Sequence, residues 1–362
     1  MKFTIEQKDF LQALNIAQKG LSGKNLMEVL KGIMIDASDN TLTMTTNNLE
    51  ISIITRVEAN ILEEGKVLVE GKILSDIIRK LPNEKITFTV GGDDIVNITS
   101  GRTKFNIKAM VNNKFPVVEE YDDSLYQSLD SKLFIDMVKK TNFAASHDEA
   151  RGVLTGELLE IKDDSISMVA IDGFRLAIKN LKMKISLDNK KAVIPSKALL
   201  EISRIIENDE KFGLLFEEKS VSFKVGKTII NSRLLEGDFI NYNQIVPKDF
   251  ITKIKIKTKD FIDSLERAQL VSNNNLVVLN INDDNLKISS KNTEVGNLEE
   301  FIKIDLEGKE LEIAFNIRYF TEALRNIEDE YLYMNFNTNI SPCVIQPETD
   351  EDYTYLLLPV RI

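Results

Sequence analysis

Val69-Glu70-Gly71-Lys72-Ile73-Leu74-Ser75-Asp76-Ile77-Ile78-Arg79 is a stretch that this chain writes three times. It returns as Ile194-Pro195-Ser196-Lys197-Ala198-Leu199-Leu200-Glu201-Ile202-Ser203-Arg204 and again as Phe315-Asn316-Ile317-Arg318-Tyr319-Phe320-Thr321-Glu322-Ala323-Leu324-Arg325. Each copy runs from an apolar strand end through a small or polar residue into a helix. The helix has a basic residue at its start and an Arg seven positions later. Seven residues are close to two helical turns, so both cations fall on one stripe. Leu74, Ile77 and Ile78, then Leu199, Leu200 and Ile202, then Phe320, Ala323 and Leu324 form the opposite, core-facing stripe. A lone basic helix face means only solubility. Three at fixed spacing suggest a long, negatively charged counterpart.

The 362 residues suit two or three domains rather than one core. Hydrophobic content of 43% and charged content of 28% are those of a soluble globular protein, and no apolar run is long enough for a membrane span. Met1-Lys2-Phe3-Thr4-Ile5 begins a strand pattern without the features of a signal peptide. The single cysteine, Cys343, excludes an intramolecular disulfide framework and fits a reducing cytoplasm. The net charge of −11 argues against nucleic acid until its distribution is read. Six candidate helices (Thr4 to Lys19, Gly71 to Leu81, Ser131 to Thr141, Ser196 to Ile206, Thr258 to Leu270, Ile317 to Asn326) hold 14 Lys and Arg against 9 Asp and Glu. The rest of the chain holds 32 against 48. Such a distribution attracts a polyanion to one surface and repels it elsewhere.

Each third opens with a helix: Lys8 to Leu14, Lys132 to Val138, Lys259 to Leu265. Alternating strands around an Asp or Asn turn follow: Leu30 to Asp36 with Thr41 to Thr46, Leu154 to Ile161 with Ser165 to Ile171, Leu276 to Ile281 with Asn285 to Ser290. A further strand leads into the repeated basic helix. The units close with Ile86 to Val90, Ile95 to Ser100 and Thr103 to Met110, then Phe212 to Glu217, Ser220 to Val225 and Thr228 to Leu235, then Tyr331 to Asn335, Cys343 to Pro347 and Tyr353 to Pro359. Acidic or Pro-containing breaks set domains at 1–120, 121–248 and 249–362. The fold class is α+β, three domains of two helices on strand-rich sheets, in effect six similar half-units. Such pseudo-symmetry predicts ring closure. Six helices packed roughly 10 Å apart leave a hole of about 10 Å, whereas twelve leave roughly 28 Å, enough for a duplex about 20 Å wide. Two chains, not one, could surround DNA.

Further motifs carry a family resemblance. They are Asp148-Glu149-x-Arg151 leading to Leu154-Thr155-Gly156, Asp172-Gly173-Phe174-Arg175-Leu176-Ala177, Ser100-Gly101-Arg102, Phe115-Pro116 and the end Leu357-Leu358-Pro359-Val360-Arg361-Ile362. In this order they resemble the bacterial DNA polymerase III beta subunits, the sliding clamps, over the whole chain. The resemblance implies three repeated DNA-clamp domains with antiparallel sheets and a head-to-tail dimeric ring. It further implies a non-catalytic processivity factor without cofactor or metal. Its partners would be duplex DNA bound without sequence specificity, the replicative polymerase alpha subunit, the clamp loader and repair proteins carrying a short docking motif, with no membrane.

Carried over by position, the docking pocket is lined by Leu154, Gly173, Phe174, Arg175, Leu176, Ile240, Ile245, Asn316, Tyr319, Cys343, Leu356, Leu358, Pro359, Val360 and Arg361. It is an apolar cleft with few polar groups, in which Arg175 and Arg361 would hold the motif's carboxylate or carbonyls. The DNA-facing cations would be Lys24, Lys72, Arg79, Lys80, Lys139, Lys140, Lys197, Arg204, Arg318 and Arg325. The ring interface would set Arg102, Lys104, Phe105 and Ile107 against Leu270, Val271, Glu294, Glu299 and Glu300 of a second copy. Departures from the family pattern are Ile171 for Thr, Ile240 for Pro, Gln244 for a basic residue, and Asn273-Asn274-Asn275 where a basic loop is common.

An enzyme with an acidic cleft, using a carboxylate pair on sugars, is the competing class. Its sequence support is thin. Asp163-Asp164 and Asp283-Asp284 fall in hairpin turns, and the single histidine, His147, reads as a loop residue. Cys343 reads as a small apolar strand residue, and Gly91-Gly92 lacks the strand-to-helix setting of a phosphate loop.

Overall fold

The computed structural model describes residues 1–21, 27–111, 115–183, 189–207 and 209–361. Its helices are α1 (Gln7–Ala17), α2 (Gly71–Lys80), α3 (Ser131–Thr141), α4 (Ser196–Ile206), α5 (Thr258–Leu270) and α6 (Ile317–Leu324). Each is preceded by one strand and followed by three. The first half-unit is Lys2–Glu6, α1, Gly32–Ser38, Thr41–Asn47 and Ile51–Glu58; the second is Gly65–Glu70, α2, Lys85–Val90, Ile95–Ser100 and Thr103–Lys108. The same order runs through α3 to α6, with one extra short strand at Asn60–Glu63.

Helix α2 shows why the repeated stretch folds as it does. The Glu70 carboxylate accepts a hydrogen bond from the Ile73 amide at 3.0 Å, capping the helix. Leu74 and Ile78 are buried, while Lys72, Asp76 and Arg79 are exposed. Gly71 is needed at the first position because a Cβ there would lie 2.5 Å from a Leu21 methyl. In α4 one expected core residue turns outward: Leu199 and Ile202 are buried, but Leu200 is 36% exposed.

The expected helix from Thr4 is corrected at its start. Phe3 and Ile5 are buried on a period of two and pair with Phe88 and Ile86, so the chain is a strand to Glu6 and helical from Gln7. Stacking of the Phe3 and Phe88 rings at 4.7 Å holds that register. The strands Ile51–Glu58, Arg175–Lys182 and Gly296–Gly308 had no counterpart in the sequence reading. The last does alternate, with Ile302 and Ile304 buried and Leu298 and Leu306 half-buried between exposed, mostly charged residues, so its period-two signal was present in the sequence and went unread.

The strands pair antiparallel in three sheets. Two lie in one compact unit, residues 1–134 with 197–234. Its five-stranded sheet runs Asn60–Glu63, Lys2–Glu6, Lys85–Val90, Ile95–Ser100, Thr103–Lys108. Its eight-stranded sheet joins Ile51–Glu58 to Thr228–Arg233, so strands from the first and second thirds form one layer. The hydroxyls of Thr55 and Thr228 bond across that join at 2.9 Å. α1 and α2 pack on this unit's core around Phe3, Phe10, Leu74 and Phe88.

The other compact unit is residues 135–196 with 235–362 and carries a twelve-stranded sheet. Here Arg175–Lys182 pairs with Tyr353–Leu357, again joining two thirds of the sequence. One core gathers Phe261, Phe315, Phe320 and Phe336 under α5 and α6. A smaller cluster, including Leu158, Val169, Leu176, Ile178, Val344 and Leu356, lies under residues 235–250. Packing units therefore cut across the sequence thirds, because backbone pairing is indifferent to where a repeat begins.

Candidate functional site

The turn Asp172–Phe174 shapes the most developed apolar surface. Gly173 sits at φ +90°, a conformation L side chains rarely adopt. Asp172 Oδ1 accepts from the amides of Phe174 (2.9 Å) and Arg175 (3.1 Å), and its Oδ2 accepts from Arg175 Nε at 2.9 Å. Arg151 Nη1 donates to the Asp172 carbonyl at 2.5 Å, and its guanidinium lies 5.6 Å from the Phe174 ring centre. Phe174 is thereby held 49% exposed, stacked on Tyr319 at 6.2 Å.

The chain end completes the surface. The Leu358 amide donates to the Phe174 carbonyl at 2.9 Å and the Val360 amide to the Ala314 carbonyl at 2.8 Å. Leu358, Val360 and Ile240 are exposed apolar residues, with Leu154, Ile245, Pro359 and Tyr319 half-buried beside them. Asn316 caps α6, accepting from the Arg318 amide at 3.0 Å, and Arg361 is exposed. Leu176 and Leu356 are buried and form the floor.

Two expected roles are corrected. Arg175 is 4% exposed and its guanidinium is already engaged: by Asp172, by Glu322 Oε2 through Nη1, and by the Tyr319 ring 4.5 Å from Cζ. Burial lowers its pKa, but the neighbouring hydroxyl and carboxylates outweigh that and hold it above the ordinary value. Its charge is already compensated within the protein, and its bonds to Asp172 shape the turn. Cys343 is fully buried in the core beneath α5 and α6, where burial pushes its thiol well above the usual range. Cys343 pairs with Leu357 and Val344 with Leu356, so Val344 is the residue on the pocket side. One position along a strand reverses the face. Ile171, Val153 and Phe239 also belong to the floor cluster. No alternation marks them: Ile171 ends an apolar run, and Val153 and Phe239 each adjoin another apolar residue, Leu154 and Ile240.

The expected DNA-facing cations mostly reach the surface. Lys72, Arg79, Lys80, Lys139, Lys197, Arg204, Arg318 and Arg325 are exposed, and Lys24 lies outside the described residues. The arginines lean on acids nearby: Arg79 on Asp76 (2.9 Å), Arg204 on Glu201 (2.6 Å), Arg318 on Glu322 (2.6 Å), Arg325 on Glu266 (3.4 Å). Exposed pairs of this kind are worth about 0–1 kcal/mol, so a phosphate can displace the acid. Lys140 is the correction. Its Nζ is held by Asp350 at 2.7 Å and Asp136 at 3.1 Å, with Lys179 on the other Asp350 oxygen. It faces its own protein.

Two of the unpaired strand edges carry the residues expected at the ring interface. Thr103–Lys108 ends the five-stranded sheet with Arg102, Lys104 and Phe105 exposed and Ile107 half-buried. Residues 296–303 pair only with Asn285–Asn292. Leu270 is 79% exposed, Val271 is half-buried and Glu294 is exposed, while Glu299 pairs with Lys287 and Glu300 with Arg267. Phe301 and Val295 are also exposed there and were missed in the sequence reading.

Family models for the N-terminal, central and C-terminal domains of the DNA polymerase III beta subunit match residues 1–119, 128–241 and 243–361. A beta sliding clamp from Staphylococcus aureus is 32% identical over 376 aligned positions, covering 100% of this chain and 99% of that one. This chain belongs to the DNA polymerase III beta subunit family, the sliding clamps. The solved sliding clamp of Bacillus subtilis superposes with a TM-score of 0.95 at 28% identity, over 100% of this chain and 99% of that one. A Pseudomonas aeruginosa sliding clamp bound to griselimycin gives 0.94 at 26% identity, covering 100% of both chains.

The chain thus has the three-domain sliding-clamp fold, whose family is a processivity factor and not a catalyst. The residues weighed for catalysis sit accordingly. His147 is exposed beside Asp148, and Asp163 and Asp283 occupy hairpin turns at positive φ. Glu157, which burial pushes up to about 8, is sealed inside. Among the described residues no group of acids, His and Cys could hold a metal ion, and no helix is long and apolar enough to cross a membrane.

Proposed function

We propose that this chain is the processivity factor of a bacterial replicase: two copies close head to tail around duplex DNA and slide without reading bases. The observation that carries the reading is the match of all three beta-subunit domains, in order, over the whole chain. The three repeats, taken as 1–120, 121–248 and 249–362, bring six helices per copy and twelve per ring. Exposed cations at repeated helix positions suit loose contact with phosphates, which recur along any sequence. The unpaired edge at Thr103–Lys108 and that at 296–303 of a second copy would join as strands. Phe105, Leu270 and Phe301 would be covered, with basic Arg102 and Lys104 near Glu294 and Glu299.

The surface around Phe174, Leu358 and Val360 would receive the apolar anchor of a short motif from the polymerase alpha subunit, the clamp loader or repair proteins. The working site would be the cytoplasm. Light scattering across a dilution series tests the assembly, and retention on circular against linear DNA tests the function. A dimer of the 41.1 kDa chain held on circles but lost from linear ends is expected. A monomer at every concentration, or equal retention on both DNAs, would reject the reading.

A further inference from the structure

The sheet faces turned away from the helices carry one row three times. It runs Leu68, Met34, Thr45, Ile54 in the first third of the sequence. In the second it is Val193, Leu158, Val169, Ile178, and in the third Ala314, Val278, Ser289, Glu299. The first residue of each row accepts a hydrogen bond from the chain as it leaves its closing strand. Leu68 accepts from the Met110 amide, Val193 from the Leu235 amide and Ala314 from the Val360 amide, each at 2.8 Å. The rows are therefore equivalent positions of one repeated unit.

Two of the rows are covered by the segment that follows. In the second third Phe239, Tyr242, Ile245 and Val246 pack over the face, and Val193, Leu158, Val169 and Ile178 are all buried. In the first third Ile54 is buried, and the segment is fastened beside it. Glu120 pairs with Arg56 at 2.6 Å, two residues along on the same face, and the Glu119 carbonyl accepts from Asn231 Nδ2 at 2.8 Å. Among the described residues no segment crosses the third row. Val278 and Ser289 are half-buried, Glu299 is exposed, and a cavity of about 730 Å³ opens there, lined also by Asn273, Leu276, Asn297, Asn316 and Val360. Asn316 and Val360 stand at the docking surface, so the groove continues from it. Among the described residues its lining carries one lysine, Lys291, and one glutamate, Glu299, so neither sign of charge dominates.

We propose that this groove receives the extended, uncharged flank of a docked partner peptide, lying where the chain's own segments lie on the other two faces. An apolar side chain of the flank would rest on Leu276 and Val278, and the amide and hydroxyl groups of Asn297 and Ser289 would bond its main chain, as Asn231 bonds Glu119. From the strand of Ala314 to that of Glu299 is three strand spacings, about 14 Å, which an extended flank of about four to five residues crosses. The inference rests on the docking surface being a peptide site and specifies how much longer than the anchor its peptides are.

Fluorescence anisotropy with the full chain tests it. The probes are a synthetic peptide with a leucine–phenylalanine anchor and the same anchor extended on either side by alternating serine and valine or by glycine and serine, each extension five residues long. One serine–valine peptide should bind about tenfold more tightly, the worth of burying a valine less the ordering of the segment, and its glycine–serine counterpart should gain little. Ser289→Arg fills the groove from the outward face of the sheet and should lose that gain while keeping the parent affinity for the bare anchor. Val278→Asn, close in volume but polar, should lose part of it. Binding of the bare anchor with no gain from either serine–valine extension overturns the groove alone, as does a gain that survives both variants or is matched by glycine and serine. No binding of any peptide overturns the docking surface and the groove together. Loss of the bare anchor in Ser289→Arg would mark a folding defect, and Val278→Asn then decides, an undiminished gain there overturning the proposal.

Discussion

Replacing Glu157 by Gln should stabilise the protein, increasingly so as pH rises. Glu157 is fully buried with no cation on it; Thr141 Oγ1 lies 2.5 Å from Oε2, and Asn142 Nδ2 donates to Oε1 at 2.5 Å. The single hydroxyl proton of Thr141 also has the Met137 carbonyl at 2.8 Å as acceptor. It cannot serve both, so a protonated Glu157 that donates to Thr141 Oγ1 satisfies the whole network. Burial is the dominant cause of the rise from 4.5 to about 8, against the lowering effect of the Thr141 and Asn142 bonds.

The folded state therefore binds a proton that the unfolded chain releases above about pH 4.5, and stability falls from there to about pH 8 before levelling. At pH 7 the cost is about 3 kcal/mol, from roughly 1.4 kcal/mol per pKa unit. Gln presents the same donor and acceptor without that proton linkage. In a unit of roughly 190 residues this amounts to a melting temperature about 6–12 °C higher at pH 7 and nearly unchanged at pH 4. Calorimetry of parent and Glu157→Gln from pH 4 to 8.5 measures it. Parallel pH profiles for the two proteins would refute the argument.

Arg175→Ala would leave Asp172 and Glu322 without their shared cation. The cost should be about 3 kcal/mol, at the lower end for a buried pair because Glu322 keeps Arg318, and the anchor peptide should bind at least tenfold more weakly. Melting temperature and anisotropy read this, with Arg175→Lys falling between. Changing Lys72, Arg79, Lys197, Arg204, Arg318 and Arg325 together to Ala should weaken DNA retention and flatten its salt dependence by about one unit of slope per lost phosphate contact. Dimer mass should not change, and an unaltered salt slope would count against these helices. Removing Pro359 to Ile362 takes away Val360 and its bond to Ala314. It should abolish peptide binding without shifting the thermal transition by more than a few degrees, and undiminished affinity would place the site elsewhere.

The sequence alone determined the repeats. An apolar strand end, a cap and cations seven residues apart are local patterns, set by helix and strand periods, and they located α2, α4 and α6 and most hairpins. The Asp172-Gly173-Phe174 segment stood out only through the family resemblance, and its turn, closed by Asp172 at a positive φ of Gly173, was seen in the structure. What a residue does at long range was decided by tertiary structure. Arg175 meets Glu322, 147 residues on, and Lys140 meets Asp350, 210 residues on, so cations that looked available are occupied. Cys343 and Val344 differ only in strand phase, which is fixed by the pairing with Leu357 and Leu356. The joins of Ile51–Glu58 to Thr228–Arg233 and of Arg175–Lys182 to Tyr353–Leu357 make packing units that no sequence third contains. Periodicity specifies which face of an element is apolar. Which partner covers that face depends on chain closure over a hundred or more residues, and a local pattern carries no record of that.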